Sequence, residues 1–147
     1  MKSSIQFAVP GIPVAKGRPR ISMRGGHARA YTPDKTVRYE NLVAMSCPPQ
    51  SSIAEGPVCV TISAYFPRPK RLCARSLRTG KLLHSDEHAV EHASRPDLDN
   101  VIKAVLDGLS TAGIWKDDAQ VYSIIAEKYY CAIGDQPRVT VLITIGA

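Results

Sequence analysis

The sequence predicts a single α+β domain over residues 1–147, in which a mixed sheet of about five or six strands packs with two or three helices. Three observations lead to this expectation. A chain of 147 residues is the size of one domain and is long enough to bury a hydrophobic core. Segments in which side chains alternate as in a β-strand lie near both ends and in the middle of the chain. A strong helical pattern precedes the last two of these segments. No internal repeat or linker composition divides the sequence.

Alternation of side chains marks the strands. Residues 3–9 alternate well enough for a first strand. Residues 58–66 alternate apolar residues with cysteine, threonine, serine and tyrosine, and because both faces are fairly apolar this strand is predicted to be central. Residues 119–131 and 139–145 predict two later strands. The glycine, aspartate and proline between them predict a turn that pairs the two as an antiparallel hairpin.

Two stretches carry helix signals. Residues 32–34, Thr-Pro-Asp, combine capping chemistry with a proline in the first turn, and they predict a helix that runs to about Ser46. Residues 98–112 place apolar side chains at the i, i+3, i+4, i+7 spacing of one helical face. Asp97 precedes this helix as a good N-cap, and Gly113 follows where a left-handed C-terminal cap belongs.

The second predicted helix also carries a polar row. Asp99, Lys103 and Asp107 recur every four residues, so they share the face that points away from the core. Taken alone, the row is explained as well by a structural role, in which Asp97 caps the helix and the other three residues form a solvated ladder of opposite charges, as by a functional role. Asp117 and Asp118, just past the helix, favour a functional interpretation because they add carboxylates that could join the row.

Asp118 can reach the start of this helix only under one geometric condition. A helix of about 15 residues is ~22 Å long, and the five residue steps after Gly113 span at most ~18 Å. Residues 114–117 must therefore run back nearly straight along the helix. Asp97, Asp99 and Asp118 would then repel one another unless a cation neutralised them, and all-oxygen ligation suits Mg²⁺ or Mn²⁺.

Charge is distributed unevenly along the chain. The 19 Lys and Arg residues exceed the 13 Asp and Glu residues, which gives a formal net charge of +6. Residues 82–127 hold three basic and nine acidic residues, a local net charge of −6, so the remainder carries +12. A metal-dependent nuclease needs an acidic pocket inside a basic frame, because the frame holds phosphates that the carboxylates repel.

The basic residues most suited to phosphate contact lie near the N-terminus. The loop GIPVAKGRPR presents lysine and arginine side chains between glycines and prolines. Residues 21–24 and 27–31 flank two glycines and predict a hairpin that extends the basic surface. The residues that we expect to bind DNA are Lys16, Arg18, Arg20, Arg24 and Arg29.

A string of motifs resembles one known family. DLDN at residues 97–100, Lys103, DGLSTAGIW at 107–115 and DDAQV at 117–121 match in order and spacing the signature of the RusA family of Holliday-junction resolvases, which are metal-dependent endonucleases. GIPVAKGRPR, followed by the YTP element at residues 31–33, is also similar to phage-type members. The resemblance implies a crossover junction endodeoxyribonuclease of DNA recombination and repair.

The resemblance also implies the site and the assembly. Carried over by position, the catalytic set is Asp97, Asp99, Lys103 and Asp118, of which the three aspartates would hold Mg²⁺, with Mn²⁺ as an alternative. The expected partner is a four-way DNA junction. Because a junction offers two symmetry-related strands, a homodimer with two active sites is expected.

Other residues indicate the compartment and weigh against a second kind of metal site. Four widely spaced cysteines without a C-x-x-C pair are typical of a reduced, cytoplasmic protein, and no apolar run resembles a signal peptide or a membrane span. His84, His88 and His92 recur every four residues. No closed zinc pattern of cysteines or acids accompanies them, so a polar segment leading into the acidic site is the favoured interpretation.

Two other classes of function remain open on the sequence alone. A non-enzymatic basic DNA-binding protein explains the basic frame but leaves three convergent carboxylates as an electrostatic cost. A metal-dependent phosphohydrolase with a small substrate explains the carboxylates but not the frame of +12.

Overall fold

A mixed five-stranded sheet is the frame of the molecule. The computed structural model describes residues 2–73, 75–81 and 88–146. The elements of these residues are β1 Ser3–Pro10, β2 Arg20–Ser22, β3 Arg29–Tyr31, α1 Asp34–Ser46, β4 Val58–Phe66, β5 Val90–Glu91, α2 Leu98–Thr111, β6 Val121–Tyr130 and β7 Arg138–Ile145. The α+β class predicted from the sequence is confirmed.

The strand order of the main sheet is β1-β7-β4-β6-β5. The central strand β4 runs antiparallel to β7 and parallel to β6. The outer strands β1 and β5 run antiparallel to β7 and β6 respectively. The short strands β2 and β3 form a separate antiparallel ribbon, which is the hairpin expected around Gly25 and Gly26.

The expected hairpin between residues 119–131 and 139–145 is wrong. Both segments are strands, but β4 lies between them, so β6 and β7 do not pair. The glycine, aspartate and proline correctly predict where the chain reverses direction. They do not predict which strand β7 pairs with after the turn. Strand β4 takes the central position because its buried face is wholly apolar, with Val58, Val60, Ile62 and Ala64 at zero exposure.

Local periodicity placed the other main elements well. Helix α1 begins at Asp34 and ends at Ser46, and α2 covers Leu98–Thr111, one residue shorter than expected. Gly113 has φ +72°, which is the left-handed conformation that glycine adopts freely after a helix. Strand β4 has the predicted bounds.

Both helices cover one face of the sheet. Val101, Val105 and Leu109 of α2 are fully buried in the same core as the apolar face of β4. Helices α1 and α2 approach closely at Gly108, where a Cβ atom would lie 2.6 Å from Val43 Cβ. In the described part of the chain, no helix has the length and apolar character needed to cross a membrane.

Candidate active site at the two ends of helix α2

The start of α2 presents two exposed carboxylates. Asp97 occupies the N-cap position, and its backbone carbonyl accepts hydrogen bonds from the amides of Asn100 and Val101 at 3.2 and 3.3 Å. Its side chain makes no capping hydrogen bond. Asp99 follows in the first turn and is also exposed. The Asp97 carboxylate is therefore not engaged by the N–H groups that a capping aspartate usually satisfies.

Lys128 on β6 fixes the segment that enters α2. Its ammonium group donates to the backbone carbonyls of Ser94 and Pro96, the second at 2.6 Å. These bonds tie the residues just before Asp97 to the sheet. The sequence analysis missed this role, because a lysine in a strand gives no indication of which loop its side chain reaches.

His92 supports the same segment from beneath. It is buried, its ring stacks on Tyr130 at 4.1 Å between centroids, and it meets Phe66 edge-on at 4.8 Å. Its Nδ1 accepts from the amide of Ser94 at 3.2 Å. Burial and then the charge of Lys128 lower the pKa of His92.

The structure describes two of the three histidines in the row, and their surroundings differ. His92 packs among aromatic rings in the structure, and His88 is exposed. His84 lies outside the described residues. The described residues thus support a structural role for His92, as a satisfied buried side chain.

The middle of the polar row of α2 meets the basic loop. Lys103, one turn after Asp99, is exposed. One turn further, Asp107 accepts a hydrogen bond from the ammonium group of Lys16, which also lies 3.1 Å from Glu40 Oε1 on α1. The hydrogen bond to Asp107 raises the pKa of Lys16. The structure thus places Lys16 between two carboxylates, where it ties the loop to both helices.

Asp118 lies at the opposite end of α2. Its Oδ1 accepts hydrogen bonds from Ser110 Oγ at 2.6 Å and from the indole nitrogen of Trp115 at 2.7 Å. The bond from Ser110, followed by that from Trp115, holds the pKa of the Asp118 carboxyl below its usual range. Trp115 is buried and Asp118 is exposed, so a rigid ring positions an accessible carboxylate.

Asp117 and Gln120 build the turn that carries Asp118. The Asp117 carboxylate accepts from the amide of Ala119 at 2.8 Å and caps a short 3-10 turn. The Gln120 side chain accepts from the amide of Asp117 at 3.0 Å and donates to the carbonyl of Ala54 at 2.8 Å. The two neighbouring aspartates therefore differ in function, since Asp117 is a cap and Asp118 is presented to solvent.

One chain does not bring the three aspartates of the predicted metal site together. Ser110, which holds Asp118, lies eleven residues after Asp99 on α2, which corresponds to ~16 Å along the helix axis. The chain after α2 returns only as far as Ser110 in the last turn of the helix, where Asp118 accepts its hydrogen bond at 2.6 Å. Among the described residues, no three His, Cys, Asp or Glu side chains are placed to share a metal ion.

The chemistry of the donors nevertheless suits a divalent cation. Carboxylate oxygens are the ligands that Mg²⁺ and Mn²⁺ prefer. Asp97 and Asp99 offer two such groups at the start of α2, and Asp118 offers a third at the far end. Within this chain the types of donor atom suit a divalent cation, but the distance between the two ends of α2 is too long for all three aspartates to bind the same ion.

Arginines line two grooves, one of which reaches the residue just before Asp97. Arg18 and Arg20 line a groove of about 670 Å³ whose wall includes Pro96, the neighbour of Asp97. Arg24 and Arg29 line a second groove of about 640 Å³ with Tyr31. Four of the five residues predicted to bind DNA therefore lie on open concave surfaces, one of which reaches the residue next to the acidic pair.

Comparison with known proteins gives two matches. The family described as endodeoxyribonuclease RusA matches residues 10–144 of this chain. A Bacillus subtilis (strain 168) protein, described as uncharacterized protein YqaN, is 34% identical over 141 residues, which cover 95% of this chain and 94% of YqaN. The matched residues include both ends of α2, the basic loop and both grooves.

Proposed function

Because this chain belongs to the RusA endodeoxyribonuclease family, we propose that it resolves Holliday junctions by paired, Mg²⁺-dependent hydrolysis of phosphodiester bonds during DNA recombination and repair. One observation carries most of the weight. Asp97 and Asp99 are exposed at the start of α2, and Pro96 beside them belongs to the wall of the groove that Arg18 and Arg20 line. Acidic ligands next to a cationic groove suit a scissile phosphate held at a metal ion.

Each residue of the proposed site has a distinct task. Asp97, Asp99 and Asp118 are the proposed ligands of the divalent cation, although one chain keeps Asp118 at the far end of α2 from the other two. The cation, when bound, would polarise the phosphate and lower the pKa of the attacking water. Lys103 stands one helical turn from Asp99, so its ammonium group can pair with a non-bridging oxygen and stabilise the charge that develops there. Mn²⁺ is an alternative to Mg²⁺, since both ions prefer oxygen ligands.

The basic residues would hold the arms of the junction. Arg18 and Arg20 lie on the groove next to the acidic pair, and Arg24 and Arg29 extend the cationic surface away from it. Lys16 contributes to the same loop, with its ammonium group between Glu40 and Asp107. Contacts of this kind position the backbone and are independent of sequence, as structure-selective cleavage requires.

A homodimer is part of the proposal. A four-way junction presents two strands related by two-fold symmetry, and resolution requires a nick in each. Two active sites on a two-fold dimer match that symmetry.

Cleavage of labelled DNA tests the proposed function. A four-way junction, a linear duplex and a flap of the same arm sequence are each incubated with the protein, with Mg²⁺ or with a chelator. We expect paired nicks in the junction only when Mg²⁺ is present. Tight junction binding without cleavage in Mg²⁺ or Mn²⁺ would instead identify a DNA-binding protein, and equal cutting of all three substrates would exclude selectivity for junctions.

A further inference from the structure

A basic segment leaves the main sheet close to the acidic pair. Residues 68–81 hold six Lys and Arg residues and no Asp or Glu. The segment follows β4, whose last residue, Phe66, lines the same groove as Pro96. Because Pro96 is the neighbour of Asp97, the segment begins at the end of the sheet that carries the acidic pair.

Arg68 fixes the base of this segment to the sheet. Its guanidinium group donates to the carbonyls of Leu72 and His88 at 3.1 and 2.8 Å. It also donates at 3.3 Å to the carbonyl of Cys131, the residue after β6. The Cys131 amide in turn donates to the Phe66 carbonyl at 2.9 Å. One side chain thus joins the outgoing chain, the returning chain and the end of the sheet.

Residues 76–81 form a closed turn. The amide of Ser76 donates to the Lys81 carbonyl at 2.7 Å, and the amide of Gly80 donates to the Ser76 carbonyl at 2.8 Å. The Ser76 hydroxyl accepts from two further amides of the turn at 3.2 and 3.3 Å. Gly80 has φ +69°, a conformation that glycine adopts more readily than other residues. These hydrogen bonds define the shape of the turn, and residues 77–79 lie at its tip.

The tip presents an aliphatic side chain among cations. Leu77 is fully exposed, and it is the most exposed of the large apolar residues that the structure describes. Turns more often carry glycine, proline or small polar residues. Five cations of the segment are exposed as well, namely Lys70, Arg71, Arg75, Arg78 and Lys81. A surface of this composition attracts a polyanion and offers it one apolar contact.

We propose that Leu77 is a wedge that enters branched DNA at the branch point, while the cations around it hold the adjoining phosphates. The inference rests on the proposed action on four-way junctions, and it adds the feature of the DNA that the protein recognises. Leucine and similar apolar side chains are inserted between base steps by proteins that kink DNA. The exposed leucine and the basic surroundings meet both requirements of such a contact.

The cost of unstacking explains why this wedge selects branched DNA. Inside a linear duplex each base pair is stacked on both faces, so insertion of a side chain must break a stack. At a branch point the continuous stack is interrupted, and the cost of unstacking is lower for bases that are already poorly stacked. The five residue steps from Leu72 to Leu77 span at most ~18 Å. The wedge therefore stays near the base of the segment, and it holds the branch point near the proposed metal site.

The first test compares binding to a four-way junction with binding to a linear duplex of the same arm sequence. Fluorescence anisotropy is measured in the presence of a chelator, so that neither DNA is cut. Leu77→Ser should weaken junction binding by about tenfold or more, as expected when a leucine is no longer buried, and should leave duplex binding within about twofold. Unchanged junction binding, or the same loss on both DNAs, would overturn the proposal.

Two variants control this comparison. Leu77→Met keeps a large apolar side chain at the tip and should bind the junction nearly as the wild type does. Met45→Ser removes an apolar side chain that is 83% exposed on α1, and it should change neither affinity. Because Leu77 is exposed, the urea midpoint of Leu77→Ser should equal that of the wild type. A loss as large in Met45→Ser as in Leu77→Ser would show that the tip has no special role.

The second test detects the unstacking itself. A fluorescent adenine analogue, whose emission rises when it leaves the base stack, is placed either beside the branch point or in the middle of an arm. At saturating concentrations the wild type should raise the emission at the branch point but not in the arm, and Leu77→Ser should raise neither. No rise with the wild type, or an equal rise with Leu77→Ser, would overturn the wedge.

The chelator separates this inference from the proposed function, because binding and unstacking are measured without cleavage. A wild type that unstacks the branch point but cuts no junction in Mg²⁺ or Mn²⁺ removes the nuclease proposal and retains the wedge. A wild type that cuts junctions, with Leu77→Ser equal to it in binding and unstacking, overturns the wedge alone. A wild type that binds no branched DNA overturns both.

Discussion

Ser110 Oγ donates a hydrogen bond to Asp118 Oδ1 over 2.6 Å, and this bond fixes the last aspartate of the family signature at the C-terminal end of α2. The signature begins at the opposite end of the same helix, with Asp97 as the residue before it. The helix therefore separates two groups of residues that the linear sequence predicts to form one site.

Ser110→Ala tests the importance of this bond for metal binding. The substitution removes one of the two donors that orient the Asp118 carboxylate, and removal of such a supporting hydrogen bond typically weakens metal binding by about tenfold or more. Calorimetric titration with Mn²⁺ measures the change. Thr111→Ala, which removes the neighbouring hydroxyl that bonds the Asp107 carbonyl instead, is the control and should leave the Mn²⁺ affinity near that of the wild type. Equal affinities for the Ser110→Ala variant and the wild type would contradict the prediction.

Arg18→Ala combined with Arg20→Ala tests the basic groove. If both side chains bind phosphates, junction binding should weaken, and the log-log slope of affinity against salt should flatten by about one unit for each phosphate that is no longer neutralised. Fluorescence anisotropy at several salt concentrations gives the slope. Arg138→Ala also removes positive charge, but from above the Tyr65 ring on β4, and should leave the slope unchanged. The same slope in the double variant and the wild type would remove this loop from the DNA interface.

Gly108→Ala tests the close approach of the two helices. A Cβ atom at this position would lie 2.6 Å from Val43 Cβ and 2.8 Å from the Glu40 carbonyl oxygen, so the helices must move apart. We expect the free energy of unfolding in urea to fall by about 1–3 kcal/mol. Val43→Ala creates space at this point, so the double variant should lose less stability than the sum of the single losses. Strict additivity would show that the clash with Val43 is not the cause.

The lowered pKa of His92 predicts how the stability of the fold changes with pH. Burial lowers its pKa in the folded state, so between that value and the ordinary value of 6.5 the unfolded chain binds more protons. The stabilisation is present above the ordinary pKa and is lost as the pH falls through the folded-state pKa. The free energy of unfolding should therefore decrease more from about pH 7.5 to about pH 5 in the wild type than in His92→Phe, which retains an aromatic ring for stacking. Identical pH profiles would rule out this role for His92.

Sequence patterns predict the local elements of this fold better than the contacts between them. The bounds of α2 and β4 follow from periodicity because each buries one face or stripe. The place of β4 between β6 and β7 depends on contacts between distant segments, which turn residues do not encode. For the same reason, no local pattern in the sequence predicts the hydrogen bond from Lys128 to the Pro96 carbonyl.

The residues of the candidate site could also be predicted from the sequence, whereas their positions relative to one another could not. The spacing of the acidic residues and the resemblance to a family identify Asp97, Asp99 and Asp118, but neither reveals that a rigid helix keeps the first two away from the third. The different contacts of Asp117 and Asp118 also arise only in the folded turn, where one caps the backbone and the other accepts from Ser110 and Trp115. The sequence sets a distance condition on the site, and the hydrogen bonds of the folded turn keep Asp118 at the far end of α2, so that this condition is not met within one chain.

The most direct test of the central claim compares Asp118→Asn with Asp107→Asn in the cleavage of a labelled four-way junction in Mg²⁺. Asp118→Asn keeps the size of the side chain but removes a charge from the proposed metal ligands, so cleavage should fall on the order of a hundredfold or more while junction binding persists or tightens. Asp97→Asn and Asp99→Asn should behave alike. Asp107→Asn, which loses its ion pair with Lys16, should reduce the rate of cleavage by less than about tenfold. Near wild-type cleavage by Asp118→Asn, or an equal loss in Asp107→Asn, would contradict the proposed site.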